Sequence, residues 1–513
     1  MPRVAINHRF SLYILMNAAF ALLVGIAAAA GGFPNPRMLH LILLFALCSS
    51  IVIDIDRLNG RYALLGLFML VYFVSYGVGD LNDLLRGADP SSMASPRAAG
   101  GFLSKAEAVI LAGGIMLVLG YRLAVFLVDA GAPIRNPRDW PKGTILIVGP
   151  ILWAIGTYAT YQWHVNIVPD TTNEAFRKGI ASISTFAASA NILGQMMQPL
   201  GILLIAYAYR TYRSPFLLPV LIAIVILQVL LGFVVDIKGL AMLGGILVIM
   251  TCVLIDGRLP KGWLAAAAIF VVLVFPVFQA YRTAIHGDRG LARTAVIQNF
   301  GKVLQLTLAA EDKVNSGRDR AQTFFERSSL KGSTEMIVDE TGNGVEFQHG
   351  HTLTPILATF VPKILWSGKQ EVQTGQLVNK QFHVTESDDI YISPSNLGEL
   401  YWNFGWTGAV LGMGLIGLLC GWIGARFNLA QYSSVTRILV TVVTIKQLIV
   451  GFEGAIASGY VVWMRSLAAI GILHLLFARV PVFSRDHAAQ DAEPDASAGR
   501  NLRTRPLFPN LLS

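Results

Sequence analysis

Apolar runs of about twenty residues, each closed by a polar or basic stretch, recur along almost the whole chain. They stand near 11 to 30, 38 to 54, 62 to 79, 105 to 128, 143 to 162, 189 to 209, 215 to 235, 239 to 255, 263 to 281, 397 to 424, 436 to 453 and 459 to 478. A helix needs about twenty apolar residues to cross a hydrocarbon core of ~30 Å, and these runs are close to that length. Closed barrels instead show short segments of alternating polarity. The pattern therefore predicts an all-α polytopic membrane protein with about twelve transmembrane helices.

The rhythm breaks once, between 282 and 396, where a polar stretch holds four of the nine histidines. This divides the chain into helices one to nine (1–281), a large loop (282–396), helices ten to twelve (397–480) and a tail (481–513) that reads as disordered. Within the loop, TAVIQNFGKVLQLTLAAEDKV has helical amphipathicity, and HTLTPILATFVPKILW reads as an interfacial segment broken at Pro362. A loop of this length and aromatic content is expected to be functional. Arg3 and Arg9 ahead of an apolar run ending in AAAAGG resemble a secretory signal, but with so many further spans an uncleaved first helix is expected.

Composition agrees with the pattern. The chain is 54% hydrophobic and 14% charged, with mean hydropathy +0.57, against about 25% charged residues in soluble domains. Its net charge of +9 would suggest nucleic acid in a soluble protein. Here the bases gather at span ends, and orientation in the bilayer accounts for them without nucleic acid. With a cytoplasmic N-terminus, the short inner connections hold eleven bases: Arg57, Arg61, Arg135, Arg138, Lys142, Arg210, Arg213, Arg258, Lys261, Arg426 and Arg437. The outer connections apart from the long loop hold seven. Both termini are thus expected in the cytoplasm and the 282–396 loop outside it. Cys48, Cys252 and Cys420 lie in apolar runs, and no metal-ligand spacing, nucleotide fingerprint or hydrolase motif is present, so neither metal nor cofactor is expected.

Charged residues inside a bilayer face a partner or a cavity. Near the outer face the sequence puts Asp236, Lys238, Arg282, Glu399, Lys446, Glu453 and Arg465 at one expected depth. On a continuous helix Glu399, Trp402, Asn403 and Trp406 share one face by the i, i+3, i+4, i+7 rule. Gly408 with Gly412, and Gly417 with Gly421, would let a neighbouring helix approach closely. Plainer readings are available: Trp402 and Trp406 as an interfacial aromatic belt, Arg282 as a snorkelling side chain, and Glu453 with Arg465 as a structural ion pair.

LGELYWNFGWTGAVLG, with HGHTLTPILATFVPKILWSGKQ before it, resembles the Wzy-type oligosaccharide repeat-unit polymerases of bacterial surface polysaccharides. The family stretch is met by Gly398, Glu399, Tyr401, Asn403, Phe404, Gly405, Trp406 and Gly408. The family's loop segment is met in part, with Lys363 where arginine is usual and Ser367 and Gln370 where prolines are. The resemblance implies an inner-membrane glycosyltransferase acting on undecaprenyl-pyrophosphate-linked oligosaccharide at the periplasmic face, without a metal. Glu399 and Arg282 would be its catalytic pair. Lys238, Arg289, Lys363, Arg465, Tyr401, Trp402, Asn403, Trp406 and Glu453 would contact substrate. Membrane lipids, a chain-length regulator and a flippase of the same pathway are the implied partners. An O-antigen ligase and a lipid-linked oligosaccharide flippase are the competing expectations.

Overall fold

The computed structural model describes residues 2–31, 35–57, 61–86, 103–129, 139–167, 185–235, 238–256, 261–265, 329–358, 361, 374–384, 391–427 and 434–479. In chain order these form α1 (Pro2–Gly31), α2 (Asn35–Ser49, running into a 3-10 turn), α3 (Ala63–Tyr76), α4 (Val78–Arg86), α5 (Lys105–Asp129) and α6 (Lys142–Tyr161). Then come α7 (Thr185–Tyr212), α8 (Leu217–Val235) and α9 (Lys238–Asp256). The long connection contributes α10 (Lys331–Glu340), the single turn α11 (Thr354–Leu357) and α12 (Thr374–Gln381). The chain finishes with α13 (Ser395–Arg426), α14 (Val435–Thr444, continued to Glu453 by a π and a 3-10 turn) and α15 (Ile456–Arg479). Among the described residues there is no strand, only an isolated bridge between Thr341 and Val345.

Nine of these helices are long and apolar enough to cross a membrane, and ten if the pair α3 and α4, bent by 47° at Gly77, counts as one span. They coincide with nine of the runs read from the sequence. The run at 38 to 54 forms a shorter apolar helix, and the run at 263 to 281 lies almost wholly outside the described residues, as do the 294–314 amphipathic segment and the tail. The chain is an all-α membrane-spanning protein. Its outward faces agree: Leu119, Leu123 and Phe126 on α5, Leu411, Leu415, Leu418 and Trp422 on α13, and Ile472, Leu475 and Leu476 on α15 are all exposed. Water would penalise such stripes, whereas lipid chains accept them.

Between helices the contacts are made by small residues, because apolar side chains gain little by leaving lipid for protein and close backbone approach must supply the attraction. A Cβ on Gly421 of α13 would lie 2.5 Å from the Tyr121 carbonyl oxygen of α5. One on Gly417 would run into the Leu117 carbonyl, and one on Gly120 into that of Gly414. Gly156 and Gly201 join α6 to α7 in the same way, and Gly232 joins α8 to α9. The expected role of Gly417 and Gly421 is met. Gly408 and Gly412 do something else, described below.

The two ends of the bundle differ in chemistry. At one end Arg210 pairs with Asp256 at 2.5 Å, Tyr207 donates to Asp139 at 2.9 Å, and the Tyr121 hydroxyl donates to the Arg61 carbonyl. Arg213, Arg426 and Arg437 stand at this end too. At the other end α10 packs onto α5 and α13, its entry fixed by a bond from Leu330 N to the Ser75 carbonyl at 2.8 Å. Glu107 opens α5 fourteen residues before Tyr121, ~21 Å along the helix, so this second end is a full membrane thickness less a few turns away.

Candidate functional site

Gly405 interrupts α13. Its φ of 62° and ψ of −148° lie where L side chains do not go, so the helix stops at 404 and restarts at 406. The two pieces fold against each other. A Cβ on Gly412 would lie 2.5 Å from Leu400 Cδ2, although twelve residues of unbroken helix would separate them by ~18 Å. Gly408 likewise abuts the Leu400 carbonyl. These two glycines therefore receive the chain's own half-helix and not a neighbouring span. The break also corrects the expected shared face: Glu399, Trp402 and Asn403 are buried in the 395–404 piece, while Trp406 is 42% exposed beyond it. Gly405→Ala is expected to destabilise the protein by on the order of 1–3 kcal/mol, the cost of holding an alanine in that region. Its Cβ would also press on Phe347 at 3.3 Å. Thermal unfolding in detergent micelles measures it.

Glu399 is fully buried. Its Oε2 accepts a 2.6 Å hydrogen bond from the backbone N–H of Ile456, the first residue of α15. At a helix N-terminus such donors have no partner within the helix, and a carboxylate suits them. Oε1 is buried without a hydrogen bond, and the Thr352 hydroxyl is the side-chain donor facing the carboxylate. Asn403, one turn on, has its amide fully engaged. Nδ2 donates to the Glu399 carbonyl at 2.8 Å and to Thr352 Oγ1 at 2.7 Å, while Oδ1 accepts from Gly350 N at 2.8 Å. The break at Gly405 frees the carbonyls of Trp402 and Asn403, which accept from Gln348 N (3.0 Å) and His349 N (3.1 Å). Residues 348–352 are thereby strapped across the half-helix next to Glu399.

Trp402 is buried against Phe382, edge to face with centroids 5.4 Å apart, in a small core with Ile337, Val345 and Val378. It is therefore not part of an interfacial belt. Tyr401 lies beneath Lys105, whose Nζ is 5.3 Å from the ring centroid. Glu453 is exposed three residues before Ile456, its carbonyl accepting from the Ser393 hydroxyl. Tyr391, 52% exposed as a whole, lies between the two glutamates with its phenol bonded to the Ala455 backbone. Burial, then the Glu399 and Glu453 carboxylates, raise that phenol above its ordinary value. Arg465 is half-buried on α15 nine residues beyond Ile456, ~14 Å further along the axis, so it does not share the depth of Glu399. Lys238 opens α9. Arg282, Arg289 and Lys363 lie outside the described residues.

A second polar centre lies at the same end. Lys331 of α10 reaches between two helices and places Nζ 2.6 Å from Asp80 Oδ2 and 2.8 Å from Glu107 Oε1. His40 of α2 brings Nδ1 to 3.2 Å from the same Asp80 oxygen. All four are buried. Glu107 is held in place by a reciprocal cap: its Oε2 accepts from Ser104 N at 2.9 Å and its own N–H donates to Ser104 Oγ at 3.1 Å. Burial alone would lower the Lys331 ammonium, but Asp80, Glu107 and Glu335 outweigh it and raise the group above its ordinary value. The donor atoms of His40, Asp80 and Glu107 lie within 4.8 Å of one another, a metal-like spacing. Lys331 already supplies the cation there, and His40 Nε2 is buried without the acceptor that a ligating imidazole ordinarily has.

The sequence reading missed this centre. Its signal is the depth criterion that selected Glu399, which applied evenly also collects His40, Asp80 and Glu107 at the outer ends of their runs. Ser75, Tyr76, Thr334 and Ser395 lie between the two centres, with Tyr76 Oη donating to Ser395 Oγ at 3.1 Å and Thr334 Oγ1 3.2 Å from it. Comparison of the chain with protein-family models, curated proteins and solved structures found no match in any of the three.

Proposed function

We propose that the chain is an inner-membrane polysaccharide polymerase of the Wzy type. It would transfer a growing glycan from undecaprenyl pyrophosphate to a hydroxyl of the next lipid-linked repeat at the periplasmic face. The observation that carries this reading is Glu399: a fully buried carboxylate at one end of a membrane bundle, oriented by Ile456 N–H through one oxygen and faced by the Thr352 hydroxyl. A carboxylate within a membrane bundle is costly and by default marks a functional site. The motif around it supplies the reaction class.

In this reading Glu399 takes the proton of the acceptor hydroxyl as its oxygen bonds to the anomeric carbon of the donor sugar. The bond from that carbon to pyrophosphate breaks, and the lipid pyrophosphate leaves with the electron pair. Basic groups then neutralise the leaving anion, a role assigned to Arg282 with Arg289, Lys363 and Lys238 around it; Arg465, deeper along α15, is not among them. Tyr401, Trp402, Asn403, Trp406 and Glu453 shape the ground on which the sugars lie. Of these, Asn403 acts through the strap, since its amide is spent on Gly350, Thr352 and Glu399.

The topology proposed with it has about twelve spans, the 282–396 connection outside, and both termini in the cytoplasm. The end rich in Arg61, Arg210, Arg213, Arg426 and Arg437 supports that orientation through the positive-inside rule. The substrate lipid, a flippase delivering it and a chain-length regulator are the proposed partners; no nucleic acid is among them. The test is the full chain in proteoliposomes with a synthetic undecaprenyl-pyrophosphate repeat. A ladder of lengths from that lipid alone is expected. Transfer only to a different added acceptor would make it a ligase, and translocation without bond formation would make it a flippase.

A further inference from the structure

We infer that residues 347–352 are a movable strap that closes Glu399 from the outer aqueous side, turning on His349 and Gly350; the inference deepens the reading above, in which Glu399 must meet substrate. In the structure described, nothing reaches Glu399, whose exposure is zero. A base for a lipid-linked sugar has to be uncovered at some stage, so one of the layers above it moves. Three of these layers are α13's half-helix, which folds back on its own span, the start of α15, and Tyr391, whose phenol is bonded to the Ala455 backbone beside that start. The fourth is the strap.

The strap differs from the others in what holds it. Its attachment to the half-helix is polar and short: Gln348 N to Trp402 O, His349 N to Asn403 O, Gly350 N to Asn403 Oδ1, and Asn403 Nδ2 to Thr352 Oγ1. Gln348 Nε2 adds a bond to Gln381 Oε1 at 2.9 Å. Between 347 and 358 Thr352 and Ala358 are buried, Leu353 and Ile356 pack half-buried against the main core, and Leu357 is 85% exposed. The stretch 347–351 has no buried residue, and few buried contacts with backbone bonds near the surface mark segments that open at low cost.

A hinge is built in beside these bonds. His349 (φ 47°) and Gly350 (φ 88°) are consecutive left-handed residues, and a left-handed histidine is held there by its surroundings against its own backbone preference. Releasing the bonds to Trp402 and Asn403 removes that restraint. The turn can then relax and carry Thr352, the side chain that faces the Glu399 carboxylate, away from it. The same bonds that close the site are thus anchored on Asn403, which makes Asn403 a positioning residue for the strap.

Two measurements test this without any assay of glycan synthesis, so the strap can fail while the polymerase reading stands, and the reverse. In the unaltered full chain in nanodiscs, hydrogen exchange of the Gln348, His349 and Gly350 amides should run at least ~100-fold faster than that of the helix 406–426 amides. Exchange as slow as in that helix overturns the strap. In a chain with Cys48, Cys252 and Cys420 changed to alanine, Glu399→Cys should react with a charged, membrane-impermeant methanethiosulfonate much more slowly than Leu357→Cys. Adding Gln348→Ala or Thr352→Ala should raise the rate at residue 399 about tenfold or more and leave the Leu357→Cys rate unchanged. Equal rates with and without those changes, or a residue 399 thiol as reactive as the residue 357 thiol from the start, overturn it.

Discussion

Glu399→Gln is expected to lower chain extension by about 10²- to 10⁴-fold while the protein still inserts and folds, with lipid-linked single repeats accumulating in place of long chains. The size is that of losing a positioned general base. The fold should survive because glutamine keeps the length of the side chain and offers Ile456 N–H an amide oxygen in place of Oε2. That exchange weakens one charge-assisted bond, a loss of about 1 kcal/mol. Gel sizing of the lipid-linked products, beside a folding measurement on the same preparation, separates the two effects. Wild-type chain lengths from the variant would remove Glu399 from the chemistry. Glu399→Asp makes a useful partner, since it keeps the charge but withdraws it by a methylene from Ile456.

For Lys331→Met the expected loss is in stability, about 3–5 kcal/mol, because the Asp80 and Glu107 carboxylates would be left buried without their cation. The same reasoning predicts that Lys331→Met combined with Asp80→Asn and Glu107→Gln recovers most of the loss, since a neutral centre needs no ammonium. Denaturant or thermal unfolding in micelles gives both values, and a triple variant no better than the single one would refute the electrostatic account. The pH dependence has a definite sign. The Lys331 ammonium is raised above the ordinary lysine value in the folded chain, so its stabilisation is complete below about pH 10 and lost only as pH climbs through the raised value. Between pH 6 and 9 the contribution of Lys331 should therefore be flat.

These two centres were unequally visible in the sequence. Glu399 could be read directly, because a carboxylate opening an apolar run is expensive and must have a purpose. The spans could be read for the same reason, as runs of the length a bilayer requires. What holds Glu399 could not, since its partner is a backbone N–H 57 residues further on and every residue but proline has one. Lys331 was one base among twelve in the long connection, and its two partners looked like ordinary span-end charges. Only the folded chain shows that a single loop lysine neutralises two helices.

The error at Gly405 has a physical cause too. LGELYWNFGWTGAVLGMG carries five glycines, and most glycines in membrane helices serve close packing. Periodicity continues across the break as if the helix did, so Trp406 was grouped with Glu399. The distinguishing quantity is a pair of backbone angles, which composition does not encode. The metal-like spacing of His40, Asp80 and Glu107 was hidden in a related way, because its members stand on three separate helices far apart in the chain.

The interruption at Gly405 also sets which parts of the protein tolerate a shift in register. Within the helix from 406 to 426, one inserted residue turns everything after it by about 100°. An insertion between Gly412 and Gly414 would swing Gly414, Gly417 and Gly421 off the α5 backbone they clasp, while Gly408 and Gly412 keep their hold on Leu400. It would leave Glu399, Asn403 and their strap where they are, because their phase is fixed upstream by the half-helix and from outside by Ile456. Beyond Gly412, then, the span can change its rotation without turning the site.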